Sequence, residues 1–320
     1  MLFLVTGAAG FIGSQIVELL LAQGHAVRGI DCFTDYYPRR LKELNLAAAR
    51  SEANFQMVEA DILDCKPAEL LDGVDAVIHL AAQAGVRASW GKNFEIYTHN
   101  NVMTTQFLLE AIKELGNRRL VYASSSSVYG DTKDLPMRET SVCWPVSPYG
   151  VSKLAAEHLC TLYHKNFGLD TVSLRYFTVY GPRQRPDMAF HRLIRCLLTG
   201  GEFRLFGDGE QSRDFTFVGD IARATVAAAL TPAAEGEILN LGGGHRATVN
   251  EVIARLEEIT GRRARITRQA VAKGDVRDTQ ADCTRATRVL AWQPESDLAA
   301  GLAAETQWVE AMLPVLQQEV

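Results

Sequence analysis

The first 175 residues alternate short, continuous apolar runs with longer stretches whose apolar positions recur at helical spacing. The runs predict strands over Leu2–Thr6, Ala26–Ile30, Phe55–Glu59, Ala76–Leu80, Arg119–Ala123 and Thr171–Arg175. Between them lie amphipathic segments such as GSQIVELLLAQ, Gly13 to Gln23. Runs that are apolar throughout, rather than alternating, suit strands buried on both faces. The pattern therefore predicts an α/β fold with a doubly wound, Rossmann-type parallel sheet. Within ASSSSVYG, four consecutive serines are poor material for a continued strand, so the fifth strand should end before them.

The rhythm loosens after Arg175, where loops rich in Gly, Pro and Arg appear, among them YGPRQRPDM and FGDGEQSRDF. A strand-like EILNLG follows, then helical patterns over Val249–Thr260 and Leu298–Met312. Residues 1–175 read as a cofactor-binding domain. Residues 176–320 read mainly as a smaller substrate-binding domain over the carboxyl ends of the sheet, with some segments returning to the first.

Composition narrows the function classes. Of 320 residues, 47% are hydrophobic and 22% charged, and the formal net charge is −5, so no nucleic-acid footprint is expected. The one basic run, GRRARITR from Gly261 to Arg268, reads as a solvated strand edge after a helix. No apolar run approaches the roughly 20 residues of a membrane span. The chain opens on a strand-like run, MLFLVTG, so no targeting peptide is expected. The six cysteines lack metal-ligand or redox spacing, so reduced thiols and a cytoplasmic location are expected. The seven histidines show no HExxH-like pattern, and no metal site is expected.

The first strand runs into TGAAGFIG, with glycines at Gly7, Gly10 and Gly13 and with Phe11 and Ile12 opening the helix. One glycine permits the tight turn, one the approach of a pyrophosphate, and one the packing of helix on sheet. The free N–H groups of the helix then face the phosphates. Asp31 lies about 20 residues on, at the end of the second strand, where a carboxylate would accept bonds from the adenosine ribose and repel a 2′-phosphate. This favours NAD over NADP. Asp61 and Ile62, after the third strand, are candidates for the adenine, although Asp61 equally suits a turn. Leu80, Ala81 and Ala82 open LAAQAG, whose small side chains let a cofactor lie against the backbone.

Tyr149 and Lys153, in SPYGVSKLAAEHL, lie one turn apart on one helical face. A tyrosine with pKa near 10 is a poor base at neutral pH. A lysine cation and a positive nicotinamide ring would both favour the phenolate. Ser125, by its position, can bond a reacting sugar oxygen and orient it for proton transfer.

TGAAGFIG, the Asp31 strand end, LAAQAGVRASW, ASSSSVYG, SPYGVSK, RYFTVYGPRQRPDM and FGDGEQSRDF together resemble the extended short-chain dehydrogenase/reductases, in their nucleotide-sugar epimerase branch. The resemblance covers nearly the whole chain. VRASW and RYFTVYGPRQRPDMAFHRLI look like UDP-glucuronate 4-epimerases in particular. The resemblance implies that Tyr149 is the base, Lys153 its partner and Ser125 the family's Ser/Thr. It implies that Ser126, Ser127 and Thr178 hold a substrate carboxylate; galactose-type epimerases carry Asn at the last position. It places Arg213 and Arg277 on the nucleotide diphosphate, a task suited to a guanidinium fork, with Arg185 close to them. Phe206 would lie near the uracil, although a core phenylalanine reads the same way. It also implies a homodimer built on Asn101–Leu115 and Tyr149–Phe167, where Leu154, Leu159 and Leu162 serve an interface or a core equally well.

Related 4,6-dehydratases carry an Asp-Glu pair just after the Ser/Thr, and related decarboxylases a Glu nearby. Ser126 and Ser127 stand there instead. Serine bonds a carboxylate but is neither acid nor base near neutral pH. The implied activity is C4 epimerisation of UDP-glucuronate to UDP-galacturonate through a 4-keto sugar. A UDP-glucose/UDP-galactose 4-epimerase, a UDP-glucuronate decarboxylase and a non-catalytic NAD-binding scaffold or sensor remain alternatives.

Overall fold

The structure is a computed structural model, and residues 1–116 and 118–316 are described. Its centre is a seven-stranded sheet. The strands are β1 (Leu2–Thr6), β2 (Ala26–Asp31), β3 (Phe55–Glu59), β4 (Ala76–His79), β5 (Arg119–Ser125), β6 (Thr171–Tyr176) and a seventh over Ile238–Leu241. Their order is seventh, β6, β5, β4, β1, β2, β3, and every pairing is parallel. The direction of winding reverses between β1 and β4. At such a point the flanking connections diverge and leave a crevice at the strands' carboxyl ends.

Alternation along β1 explains the two-sided burial. Phe3 and Val5 join an apolar cluster on one face, under the helices α1 (Phe11–Ala22) and Val218–Leu230. Leu4 joins the other, under the helices Thr104–Leu115 and Pro148–Phe167. A third apolar cluster lies away from the sheet and draws Phe190, Phe215, Leu256 and Leu302 from the second half of the chain.

The six expected strands are present, with ends moved by about a residue. The larger difference is at β5, which continues through Ser124 and Ser125. These two serines pair with Arg175 and Tyr176 of β6, so the sheet's own register overrides their weak strand preference. The chain turns only at Ser126–Val128, a single 3₁₀ turn. The basic run forms an edge strand, Arg265–Gln269, parallel to Glu202–Phe206. The last helix extends to Leu316, past the expected Met312. All six cysteines are free thiols. Among the described residues no helix is long and apolar enough to cross a membrane.

Candidate active site

A cavity of about 710 Å³ occupies the crevice at the carboxyl ends of the strands. Its floor is the turn after β1. Gly7 has φ of +67°, a conformation costly for any residue with a Cβ, and a Cβ there would lie 2.9 Å from the Ala81 amide nitrogen. A Cβ on Gly13 would lie 2.1 Å from the Gly7 carbonyl oxygen, so that position is closed to any side chain. Gly10 caps α1 without a side-chain hydrogen bond, and the first turn of α1 holds no acid. The helix thus presents its free N–H groups to the cavity, a fit for a pyrophosphate. Phe11, Ile12, Leu80, Ala81 and Ala82 also line the cavity. Thr6 fixes the Leu80 and Ala81 backbone, because its hydroxyl oxygen accepts from both amides at 3.1 and 3.0 Å. Behind Thr6, fully buried His79 lies 2.8 Å from the same hydroxyl, and burial pulls its pKa down to about 3.

Asp31 sits at the end of β2 and is buried at the cavity wall. Its Oδ1 accepts from the Phe33 amide at 2.8 Å, and its Oδ2 from the Ala9 amide at 3.3 Å. Lys42 also reaches Oδ1 at 3.3 Å, an ion pair buried on both sides. Sequence reasoning missed Lys42, since nothing in RRLKEL marks one cation as the one folded inward. Asp61 caps the Ile62–Asp64 turn through the Leu63 amide and meets His99 at 3.1 Å. It therefore fills the turn role while lining the cavity beside Ile62.

Tyr149 and Lys153 reach the cavity from the Pro148–Phe167 helix. Ser147 caps that helix through the Gly150 amide at 3.1 Å, and Pro148 starts it. Ser125, Ser126, Ser127, Thr178 and Arg185 line the same space. Desolvation is the largest influence on both Tyr149 and Lys153. Burial raises the Tyr149 pKa; a hydrogen bond from Ser125 and the charge of Arg185 oppose the rise. Burial also draws the Lys153 ammonium down to about 7, against the pull of Cys160 and Glu157. Burial thus disfavours the charged form of both the phenol and the ammonium.

Arg185 holds Asp187 through two bonds of 2.9 and 3.0 Å, and Tyr36 donates to the same carboxylate at 3.3 Å. Arg185 also lies over the Tyr36 ring, 5.6 Å from its centroid, and its charge reaches Tyr149. Phe206, Arg213 and Arg277 do not line the cavity. They stand around its mouth: the Arg87 guanidinium, which does line it, stacks 4.0 Å over the Phe206 ring and pairs with Asp275 at 2.7 Å. Arg213 donates to the backbone carbonyls of Ser212, Val276 and Arg277. Arg277 is paired with Asp208 at 2.8 Å. Arg87 and Asp275 are 188 residues apart, so only the fold brings them together. Among the described residues, no cluster of His, Cys, Asp or Glu could hold a metal ion.

Residues 3–242 match the model of the NAD dependent epimerase/dehydratase family. The chain belongs to that family. It is 40% identical over 319 residues to the UDP-glucuronate 4-epimerase of Thermodesulfobacterium geofontis, which covers 98% of both chains. It is 44% identical over 313 residues to a Bacillus subtilis protein named as an uncharacterized UDP-glucose epimerase, YtcB, covering 98% of this chain and 99% of that one. Among solved structures it resembles the UDP-glucuronic acid 4-epimerase of Bacillus cereus in complex with UDP-glucuronic acid and NAD. The TM-score is 0.95 at 45% identity, over 98% of this chain and 100% of that one. The parallel sheet, the glycine turn and the Tyr149–Lys153 helix of this epimerase thus have a solved counterpart across nearly the whole chain.

Proposed function

We propose that this protein is an NAD-dependent 4-epimerase that converts UDP-glucuronate to UDP-galacturonate. One observation carries the choice of substrate. The cavity wall beside Tyr149 is made of hydroxyls, Ser125 to Ser127 and Thr178; Ser126 and Ser127 stand where related dehydratases carry an Asp-Glu pair, and Thr178 where galactose-type epimerases carry Asn. Hydroxyls bind a uronate without adding an acid or base that would promote elimination. The relatives named as UDP-glucuronate epimerases support the same reading.

The glycine turn, the uncapped start of α1 and Asp31 fit NAD, with the pyrophosphate on the helix and the adenosine ribose on the carboxylate. Bound NAD would supply a reversible acceptor for the hydride on C4. Tyr149 takes the proton of the C4 hydroxyl and later returns it. Ser125 holds the C4 oxygen in line with that transfer. Lys153, poised near neutrality, supplies a cation to the developing phenolate. Inversion requires the 4-keto sugar to turn about its diphosphate and present its other face. Arg213 and Arg277 would hold the diphosphate meanwhile, Arg277 by exchanging Asp208 for a phosphate oxygen. A 4-keto uronate is a β-keto acid and prone to lose CO₂. Ser126, Ser127 and Thr178 would hold its carboxylate out of the orientation that permits loss.

The test is incubation of the purified protein with UDP-glucuronate, without added NAD, followed by proton NMR. UDP-galacturonate without pentose is expected. UDP-xylose or a 4-keto pentose would replace this reading with a decarboxylase, and turnover of UDP-galactose alone with a neutral-sugar epimerase. Thr178→Ala should cost more catalytic efficiency on UDP-glucuronate than on UDP-glucose, by about tenfold. Equal losses on both sugars would remove Thr178 from carboxylate recognition.

The assembly we propose is a homodimer through the two helical segments Asn101–Leu115 and Tyr149–Phe167. Met103, Leu115, Val151, Leu162 and Phe167 are exposed apolar side chains on these segments, whereas Leu154 and Leu159 pack inward. Light scattering should return twice the chain mass of 35.2 kDa. A monomer at micromolar concentration would exclude this assembly.

A further inference from the structure

Tyr149, Lys153 and Glu157 follow one another at intervals of four residues along the Pro148–Phe167 helix. Such spacing puts all three on one face, each a turn beyond the last. The first two line the cavity, but the third does not. Glu157 is 1% exposed, a rare setting for a carboxylate, and every contact it makes is organised. The Ser124 hydroxyl donates to its Oε2 at 2.6 Å. Arg175 clamps it with two bonds, Nη2 to Oε1 at 2.6 Å and Nε to Oε2 at 3.0 Å. Arg175, itself 3% exposed, donates onward to the Tyr129 hydroxyl at 2.7 Å, and Tyr129 donates to Asn240 at 2.7 Å. The chain of bonds thus joins the catalytic helix, the end of β5, β6 and the seventh strand.

Two features tie this network to the reaction. Ser124 is the residue immediately before Ser125, so Glu157 fixes the strand end from which Ser125 meets Tyr149. Glu157 is also one turn from Lys153, and its charge favours the ammonium there. The other groups around the pair are Tyr122 on β5, whose ring lies 4.7 Å from the Lys153 amine, and Cys160 on the same helix. His79 on β4 feels Lys153, while Cys143 and Arg175 face Glu157. Burial keeps His79 and Cys160 uncharged near neutral pH, so neither adds a charge beside Lys153 there.

We propose that Glu157 is a positioning residue for this epimerase: its Arg175-clamped carboxylate holds Ser124, and through it Ser125, against the catalytic helix, and sustains the charge of Lys153. The role rests on the reading of Tyr149, Lys153 and Ser125 as the reacting set.

The experiment compares wild type, Glu157→Gln and Ser124→Ala on UDP-glucuronate across pH, with bound NAD counted to give the folded, loaded fraction. In Glu157→Gln, kcat per loaded site should fall about tenfold or more while KM changes less than about threefold. Removing the negative charge makes Lys153 lose its proton at lower pH, so the alkaline limb of kcat should move to lower pH by about half a unit or more. Ser124→Ala should lower kcat at constant KM and leave that limb in place. Wild-type kcat per loaded site in Glu157→Gln, or an unmoved limb, would overturn the proposal. If Glu157→Gln does not fold, Ser124→Ala decides: unchanged kcat overturns the hold on Ser125, and a lowered kcat at constant KM supports it. Wild type without turnover of UDP-glucuronate would overturn the substrate reading instead, and the same comparison would then be made on UDP-glucose.

Discussion

Tyr149→Phe should lower turnover of UDP-glucuronate by about a thousandfold or more while the protein still carries NAD. The substitution removes one oxygen from a residue at the cavity wall and leaves the ring, which meets Tyr97 edge-on at a centroid distance of 6.2 Å. Packing and cofactor binding therefore persist. On the proposed mechanism the variant lacks the acceptor for the C4 hydroxyl proton, and a positioned proton acceptor typically contributes about 10²–10⁴-fold. Substrate affinity should change little, since the missing hydroxyl acts mainly in the transition state. Stopped-flow absorbance of the reduced cofactor, followed by NMR of products, is the measurement. Turnover within tenfold of wild type would remove Tyr149 from the role of base.

The second large effect is expected at Asp31, where two consequences must be separated. Loss of the carboxylate removes charged hydrogen bonds to the adenosine ribose, about 1–3 kcal/mol, or about 5- to 150-fold in NAD affinity. Asp31→Ala also strands the Lys42 ammonium in a buried position, which costs stability of about 3–5 kcal/mol. A weaker cofactor in this variant alone would be ambiguous, because a less stable fold sheds ligands. The double variant Asp31→Ala/Lys42→Met removes both charges and fills the space with an apolar chain of similar length. Its melting temperature should return toward wild type while NAD affinity stays low. Recovery of NAD affinity along with stability would refute the ribose role and leave Asp31 as a partner of Lys42 and a cap for the Phe33 and Ala9 amides.

Some parts of the site were legible because they are local. Gly7, Gly10 and Gly13 announce a turn that only glycine can make, followed at once by a helix start. Tyr149 and Lys153 announce a helical face through their spacing. Glu157 carries the same signal and could have been read with them. Other parts were not legible because they depend on which strands become neighbours. Ser124 and Ser125 look like loop residues until β6 pairs with them. Lys42 looks like any surface lysine until the strand-to-helix connection after β2 folds it onto Asp31. Arg87 and Asp275 have no sequence relation at all, and they meet only where the second half of the chain approaches the cavity mouth.

The sequence by itself determined the alternation of strand and helix, the glycine turn, the acid at the end of β2, the tyrosine and lysine on one helix and the substitution of serines for acids. Each is set by backbone torsion, by helical or strand periodicity, or by the chemistry of a single side chain, and these act within a few residues. The tertiary structure alone decided that the serine run begins as strand, that burial opposes ionisation at both Tyr149 and Lys153, and that Glu157 and Arg175 join the strand end to the catalytic helix. Those outcomes depend on desolvation and on contacts between distant segments, which exist only once the sheet has chosen its order.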